Sequence, residues 1–167
     1  MSVGKSTGTP ANRRTSDGDL ALLAALEKKA LWLSSWMIHN ANHLRENLDG
    51  LKVGGHQASS ASLATILTAL YLSVLRPEDR IAVKPHASPI FHALQYLLGN
   101  QTREKLENFR GFGGAQSYPS RTKDVDDVDF STGSVGLGVA ITVFASLVQD
   151  YLKGHDLLKR PEGRMIA

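Results

Sequence analysis

Cysteine is absent from the 167 residues, so a disulfide framework, a zinc-thiolate site and a catalytic thiol are excluded, and any metal must be held by His, Asp or Glu. Blocks of like charge are missing too. The 19 basic and 16 acidic side chains are interspersed and leave a net charge of +3, without the cationic track that a phosphate backbone demands, so nucleic acid is not an expected partner. Apolar runs are broken by polar residues within about a dozen positions, short of the ~20 that cross a bilayer. The first residues also lack the apolar core of a secretory signal. The expectation is a soluble, cytoplasmic protein with no membrane partner. Its 42% hydrophobic content suffices for one core.

Residues 1–16 are small, polar and basic without apolar period, and read as a flexible arm preceding a single unit, 17–167. From Asp17, a candidate N-cap, the spacing of Leu22, Leu26, Ala30, Leu33 and Met37 predicts a long helix running to about Leu48–Gly50. Ser59 to Leu75 reads as a buried helix introduced by Gly54-Gly55 and stopped at Arg76-Pro77. A short strand, Arg80 to Val83, leads to Lys84-Pro85-His86, and Pro89 opens a helix that ends at Gly99. Thr102 to Phe109 forms a small helix, and Gly111 to Asp129 a long loop. Val139 to Lys153 is a helix apolar on nearly every side, and Arg164 to Ala167 opens a strand. Strands alternating with such helices predict an α/β fold with a mostly parallel sheet flanked by helices, incomplete within this chain. Its open edge and apolar helix faces call for more polypeptide.

Several motifs have bland explanations. Gly4-Lys5-Ser6-Thr7 lacks the earlier glycine and strand of a phosphate-binding loop. His39 and His43 share a helix face, but no glutamate accompanies them, and a polar surface is the better reading. Asp124, Asp126, Asp127 and Asp129 lack the glycine and distal glutamate of a calcium loop and read as a solvated segment. Three segments are harder to set aside: Gly54-Gly55-His56 at a helix start, Lys84-Pro85-His86 after a strand, and the glycine-rich turn from Gly133 to Gly138 before a helix. Ligands of open α/β sheets sit at the carboxyl ends of strands, and a glycine turn at a helix N-terminus lets a ligand approach the backbone.

Taken in order, GGHQASSAS, DRIAVKPHASPIFHALQYLLGN, LENFRGFGGAQSYPS and STGSVGLGVA resemble successive blocks of the transketolase superfamily of thiamine diphosphate-dependent enzymes. The FR…G…SYP block and the Ser-Val-Gly-Leu-Gly turn are most similar to the homodimeric pyruvate dehydrogenase type. The resemblance implies the N-terminal portion of the domain that binds thiamine diphosphate. It implies His56 and His86 as catalytic histidines around the thiazolium and substrate, and Ser134, Val135, Gly136, Leu137 and Gly138 as the cofactor-binding turn, with Val135 against the aminopyrimidine. The activity implied is that of the decarboxylating component of a pyruvate dehydrogenase complex: pyruvate or another 2-oxo acid is decarboxylated and the acetyl unit passed to a lipoyl group. Alternatives are a transketolase moving ketol units between sugar phosphates, or a truncated, non-catalytic interaction fragment. Implied partners are a second copy in a homodimer and a lipoyl acyltransferase, which the basic arm around Arg13 and Arg14 would contact. No residue of this chain is assigned to a metal. Magnesium would be bound by a Gly-Asp-Gly…Asn motif expected beyond Ala167, so the chain alone is expected to be inactive. Pro85, where these families commonly have glycine, and Gln57, where an apolar residue is usual, depart from the pattern.

Overall fold

The structure is a computed structural model that describes residues 16–133 and 135–167. The basic arm, the Gly4-Lys5-Ser6-Thr7 motif and Ser134 of the glycine turn lie outside the described residues.

Helix α1, Asp17–His39, starts one residue earlier than predicted. Ser16, not Asp17, is the N-cap: its Oγ accepts from the Asp19 amide at 3.2 Å while the Asp19 carboxylate accepts from Ser16 N at 3.0 Å. This reciprocal box satisfies two orphan donors and contributes about 1 kcal/mol. The helix does not reach Leu48. It widens at Asn40–Leu44 into a π-helical turn, which is fastened from outside. Asn40 Nδ2 donates to the Glu107 carbonyl at 2.7 Å, and Arg45 Nη1 donates to the Phe109 carbonyl at 2.9 Å. Such wide turns inside helices occur where external contacts outweigh regular bonding.

Helix α2, Gln57–Ala69, ends in a second π turn, Leu70–Val74. The segment Gln57–Val74 is long and apolar enough by length and composition to cross a membrane, which the sequence reading did not anticipate. Here it packs one face on α1 and α3, burying Ala64 and Leu67 while Ile66 and Val74 stay exposed. The burial expected around the whole helix is therefore one-sided.

Strand β1, Arg80–Ile81, runs parallel to β2, Met165–Ile166, in register Arg80 to Met165 and Ile81 to Ile166. The pairing extends through Ala82 N to the Ile166 carbonyl at 2.8 Å. This small parallel sheet with helices packed around it is the predicted α/β architecture. After a 3₁₀ turn at Pro85–Ala87, helix α3, Ser88–Leu97, is the centre of the core. Ser88 through Gln95 are all buried, and Ile90, Phe91 and Leu94 pack with Leu33, Leu67 and Val83, each worth about 1.5–3 kcal/mol of burial. A smaller cluster of Met37, Ile38, Leu106 and Phe109 joins the end of α1 to α4, Arg103–Glu107.

Helix α5, Leu137–Gly154, carries an exposed apolar face of the kind the sequence leads one to expect. It rests on β2 but leaves Val139, Val143, Phe144, Leu147, Val148 and Tyr151 more than half exposed. The nearly all-round apolar pattern thus records one face packed within the chain and another that is uncovered. Strand β2 is held by two clasps. Buried Asp79 accepts from Arg164 N at 2.8 Å, Arg164 Nε at 3.0 Å and Arg76 N at 2.9 Å. Gln149 of α5 grips Gly163 with both amide groups, donating to its carbonyl at 2.9 Å and accepting from its N–H at 3.1 Å. Gly163 must be glycine, since a Cβ there would lie 2.0 Å from the Glu78 carbonyl oxygen.

Candidate active site

His56 precedes α2 and His86 follows β1, thirty residues apart in the chain, yet their rings meet edge to face with centroids 4.2 Å apart. The loop that brings His56 there is tightly specified. Asn42, on the π turn after α1, holds Gly54 by two bonds of 2.8 Å, one from Nδ2 to the Gly54 carbonyl and one from Gly54 N to Oδ1. Gly55, at φ 139°, then passes so close to Ile38 that a Cβ would meet Cγ1 at 2.7 Å. Together these place the N-terminus of α2 beside the carboxyl end of β1.

Arg110 completes the cluster. Half-buried at the mouth of the long loop and held at φ 60°, it donates from Nη1 to the Val53 carbonyl at 2.9 Å, and Nη1 lies 3.0 Å from where a Gly54 Cβ would stand. Partial burial, then the neighbouring His86 ring, then the Arg110 guanidinium all hold the His56 pKa below its ordinary 6.5. His56 is accordingly neutral at pH 7 and able to accept or donate a hydrogen bond. The sequence reading did not single out Arg110, although it lies within the FR…SYP block; only its contact with the Gly54 backbone shows where it points.

The glycine turn arrives at the same strand end. Thr132 Oγ1 donates to the Val83 carbonyl at 2.6 Å, and a Cβ on Gly138 would make ordinary contact with Ala82 at 3.6 Å. Gly136 adopts φ 84° as the N-cap of α5 with open space where a side chain would be, and Val135 beside it is fully exposed. Leu137 opens α5 and is partly exposed. The turn therefore offers bare backbone, a helix N-terminus and an uncovered apolar side chain, next to the strand whose end carries His86.

His39 and His43 are exposed, ring to ring at 4.9 Å, as a polar helix surface predicts. The aspartate loop differs from its expectation as a solvated segment. Asp126 is buried against His92 of α3, and Asp124 is half-buried with Oδ1 accepting from Gln116 N at 3.0 Å and Oδ2 from Ser120 N at 2.8 Å. His92, Asp124 and Asp126 bring ligand-type atoms within 4.8 Å of one another. The Asp124 oxygens are thus engaged by loop amides and the His92 ring by Asp126 and the Gln116 carbonyl, while Asp126 Oδ1 is buried without a hydrogen-bond partner among the described residues.

The fold and this rim define a helix-rich α/β chain with a histidine pair and a glycine turn gathered at one strand's carboxyl end, where open α/β sheets bind ligands. No family model matches the sequence. Curated relatives do, and several carry one name, pyruvate dehydrogenase E1 component: that of Mycolicibacterium smegmatis is 31% identical over 136 residues, 75% of this chain and 14% of the relative. The protein of Cupriavidus necator is 28% identical over 159 residues, 90% of this chain and 17% of the relative. The Escherichia coli K12 protein is 32% identical over 123 residues, 68% of this chain and 14% of the relative. The chain thus spans about one seventh to one sixth of the length of these relatives.

Proposed function

We propose that this chain supplies part of the cofactor and substrate pocket of a cytoplasmic, homodimeric, thiamine diphosphate-dependent enzyme of the pyruvate dehydrogenase E1 type. In this reading it is the N-terminal portion of the cofactor domain. The observation that carries the proposal is the contact of His56 with His86 at a strand end that also receives the glycine turn, in a chain similar to E1 components over most of its length.

Each residue then has a task. Val135, Leu137 and the open backbone at Gly136 and Gly138 would hold the aminopyrimidine end, with Ser134 in the same turn. Thiamine diphosphate, when bound, supplies a nucleophilic carbon that labilises the carboxylate of a 2-oxo acid. His56, neutral at pH 7, and His86 would hydrogen-bond the substrate carbonyl oxygen as charge develops on it, an effect worth about 10²-fold or more. The Arg110 cation favours an anionic substrate at the same rim. No described residue is assigned to magnesium or the diphosphate. A lipoyl acyltransferase would be the acceptor partner, met through the basic arm.

The test is an assay of the polypeptide that contains this segment together with the remainder of an E1-type enzyme, with magnesium, thiamine diphosphate, pyruvate and a lipoyl or dye acceptor. Acceptor reduction that falls about 100-fold in His86→Ala is the expected result. Ketol transfer between sugar phosphates without pyruvate turnover would replace this reading with the transketolase one.

A further inference from the structure

His92 takes no part in the rim. It is completely buried on α3, with both ring nitrogens facing oxygens of the long loop. Nδ1 meets Oδ2 of Asp126, and Nε2 lies 2.7 Å from the Gln116 carbonyl oxygen. A carbonyl only accepts, so Nε2 must donate. A neutral imidazole has a single N–H, and Nδ1 would then present a lone pair to a carboxylate. Burial removes water as an alternative partner, and two facing lone pairs without a proton would be costly. Whether it sits on Nδ1 or on Oδ2, the pair holds one proton more than a neutral histidine beside an ionised aspartate.

We propose that the His92–Asp126 pair is a proton-held latch that fastens the loop 111–130 onto α3 and thereby sets the shape of the histidine rim. The loop is organised around this contact. Asp124 gathers Gln116 N and Ser120 N onto one carboxylate, so the two points that touch His92 form one unit. The two ends of the loop reach the rim and the sheet. Arg110, just before it, stands beside His56 and holds the Val53 carbonyl. At the other end Asp129 accepts from Ile81 N of β1 at 3.0 Å, and Thr132 follows on the Val83 carbonyl.

The surroundings favour the protonated pair. From the loop, Asp124 adds negative charge toward His92. From the π turn after α2, Tyr71 faces the same acidic group, and its burial keeps the phenol protonated far above the usual range. The Gln101 side chain works the other way, lowering the Asp126 carboxyl, while the Phe91 and Phe109 rings flank the imidazole at 5.4 and 6.4 Å. Burial works to lower the His92 pKa, but the Asp126 hydrogen bond and charge outweigh it and the net shift is upward. Burial likewise raises the Asp126 carboxyl; both shifts describe one retained proton. A histidine raised above its unfolded value of 6.5 contributes stability fully present below that value and lost as pH rises through the folded pKa. The latch is closed in acid and opens toward alkaline pH.

The experiment needs no enzyme activity, so it is independent of the proposed function. Histidine-selective ¹⁵N NMR and amide exchange would be followed on the 167-residue chain from about pH 5 to 9. The expected result is that the His92–Asp126 pair keeps its proton well above the ordinary histidine range of about 6.5. The Gln116, Ser120 and Ile81 amides should lose protection at least about tenfold in the step where His92 titrates. Asp126→Asn should abolish that step. The proposal is overturned if the His92–Asp126 pair has already lost its shared proton below pH 6, if that titration leaves those amides unchanged, or if Asp126→Asn keeps the wild-type pH response. Should the variant fail to fold, the wild-type titration decides alone.

Discussion

At Gly55 a methyl group would stand 2.7 Å from Ile38 Cγ1, on a backbone whose φ of 139° side chains rarely adopt. Gly55→Ala is therefore expected to cost about 2 kcal/mol or more, read as a shift of the denaturation midpoint, and to part the His56 and His86 rings now in contact. An unchanged midpoint would mean that the loop can move aside freely. Substitutions at the rim should behave differently. His86 is exposed and its removal leaves no cavity, so His86→Ala should leave the midpoint within about 0.5 kcal/mol of the parent while abolishing the shift that the neighbouring ring imposes on His56. Titration of His56 by NMR would show its pKa move back toward 6.5, and no movement would indicate that the ring contact has no electrostatic consequence. Both histidines were legible in the sequence because each follows a turn signal beside a predicted element. Arg110 and the His92–Asp126 pair were not, since nothing in local spacing shows that Arg110 reaches Val53 or that one loop aspartate of four turns inward.

At the scale of elements, β2 depends on Asp79. Its carboxylate is buried yet receives Arg164 and Arg76 donors from two segments. Burial alone would raise its pKa, but the Arg164 side chain, the Arg76 and Arg164 amides and the Arg76 side chain pull it well below 3.8. A carboxyl lowered in this way contributes stability that is fully present above its unfolded pKa and is lost as pH falls through the folded value. Asp79→Asn should destabilise the chain by about 3 kcal/mol at neutral pH and flatten the fall of stability below about pH 4. Urea melts across that range would check both, and parallel curves for the two proteins would contradict the assignment. The helices themselves follow their patterns: α3, α4 and the body of α1 lie where periodicity puts them. The π turns after α1 and α2 escape such reading because hydrophobic spacing cannot distinguish a turn that widens from one that continues, and the side chains that fix the first of them bond to Glu107 at the end of α4 and to Phe109 just after it, over sixty residues away.

For the whole molecule the informative surface is α5. Six apolar side chains stand more than half exposed along it, an area that soluble chains rarely leave bare. Val143→Lys combined with Leu147→Lys should reduce self-association in sedimentation velocity at unchanged thermal midpoint, because neither side chain belongs to the core. A drop of several degrees would show that the face is packed in solution. The α/β class was legible because strand and helix patterns alternate. That apolar helix faces stay uncovered was legible as well, but which side of α5 bears one was not, because a helix apolar on every side reads alike whether a given surface meets its own chain or nothing.

The grip of Gln149 on Gly163 has a kinetic corollary. Pairing β1 with β2 brings together residues eighty-five apart, a slow search for a chain that closes its large loops late. Gln149 and Gly163 are separated by only fourteen positions, so α5 can capture the β2 segment early and present it as cargo already aligned for docking. Gln149→Leu should then retard refolding in stopped-flow more than it accelerates unfolding, and the opposite partition would place that clasp after the rate-limiting step.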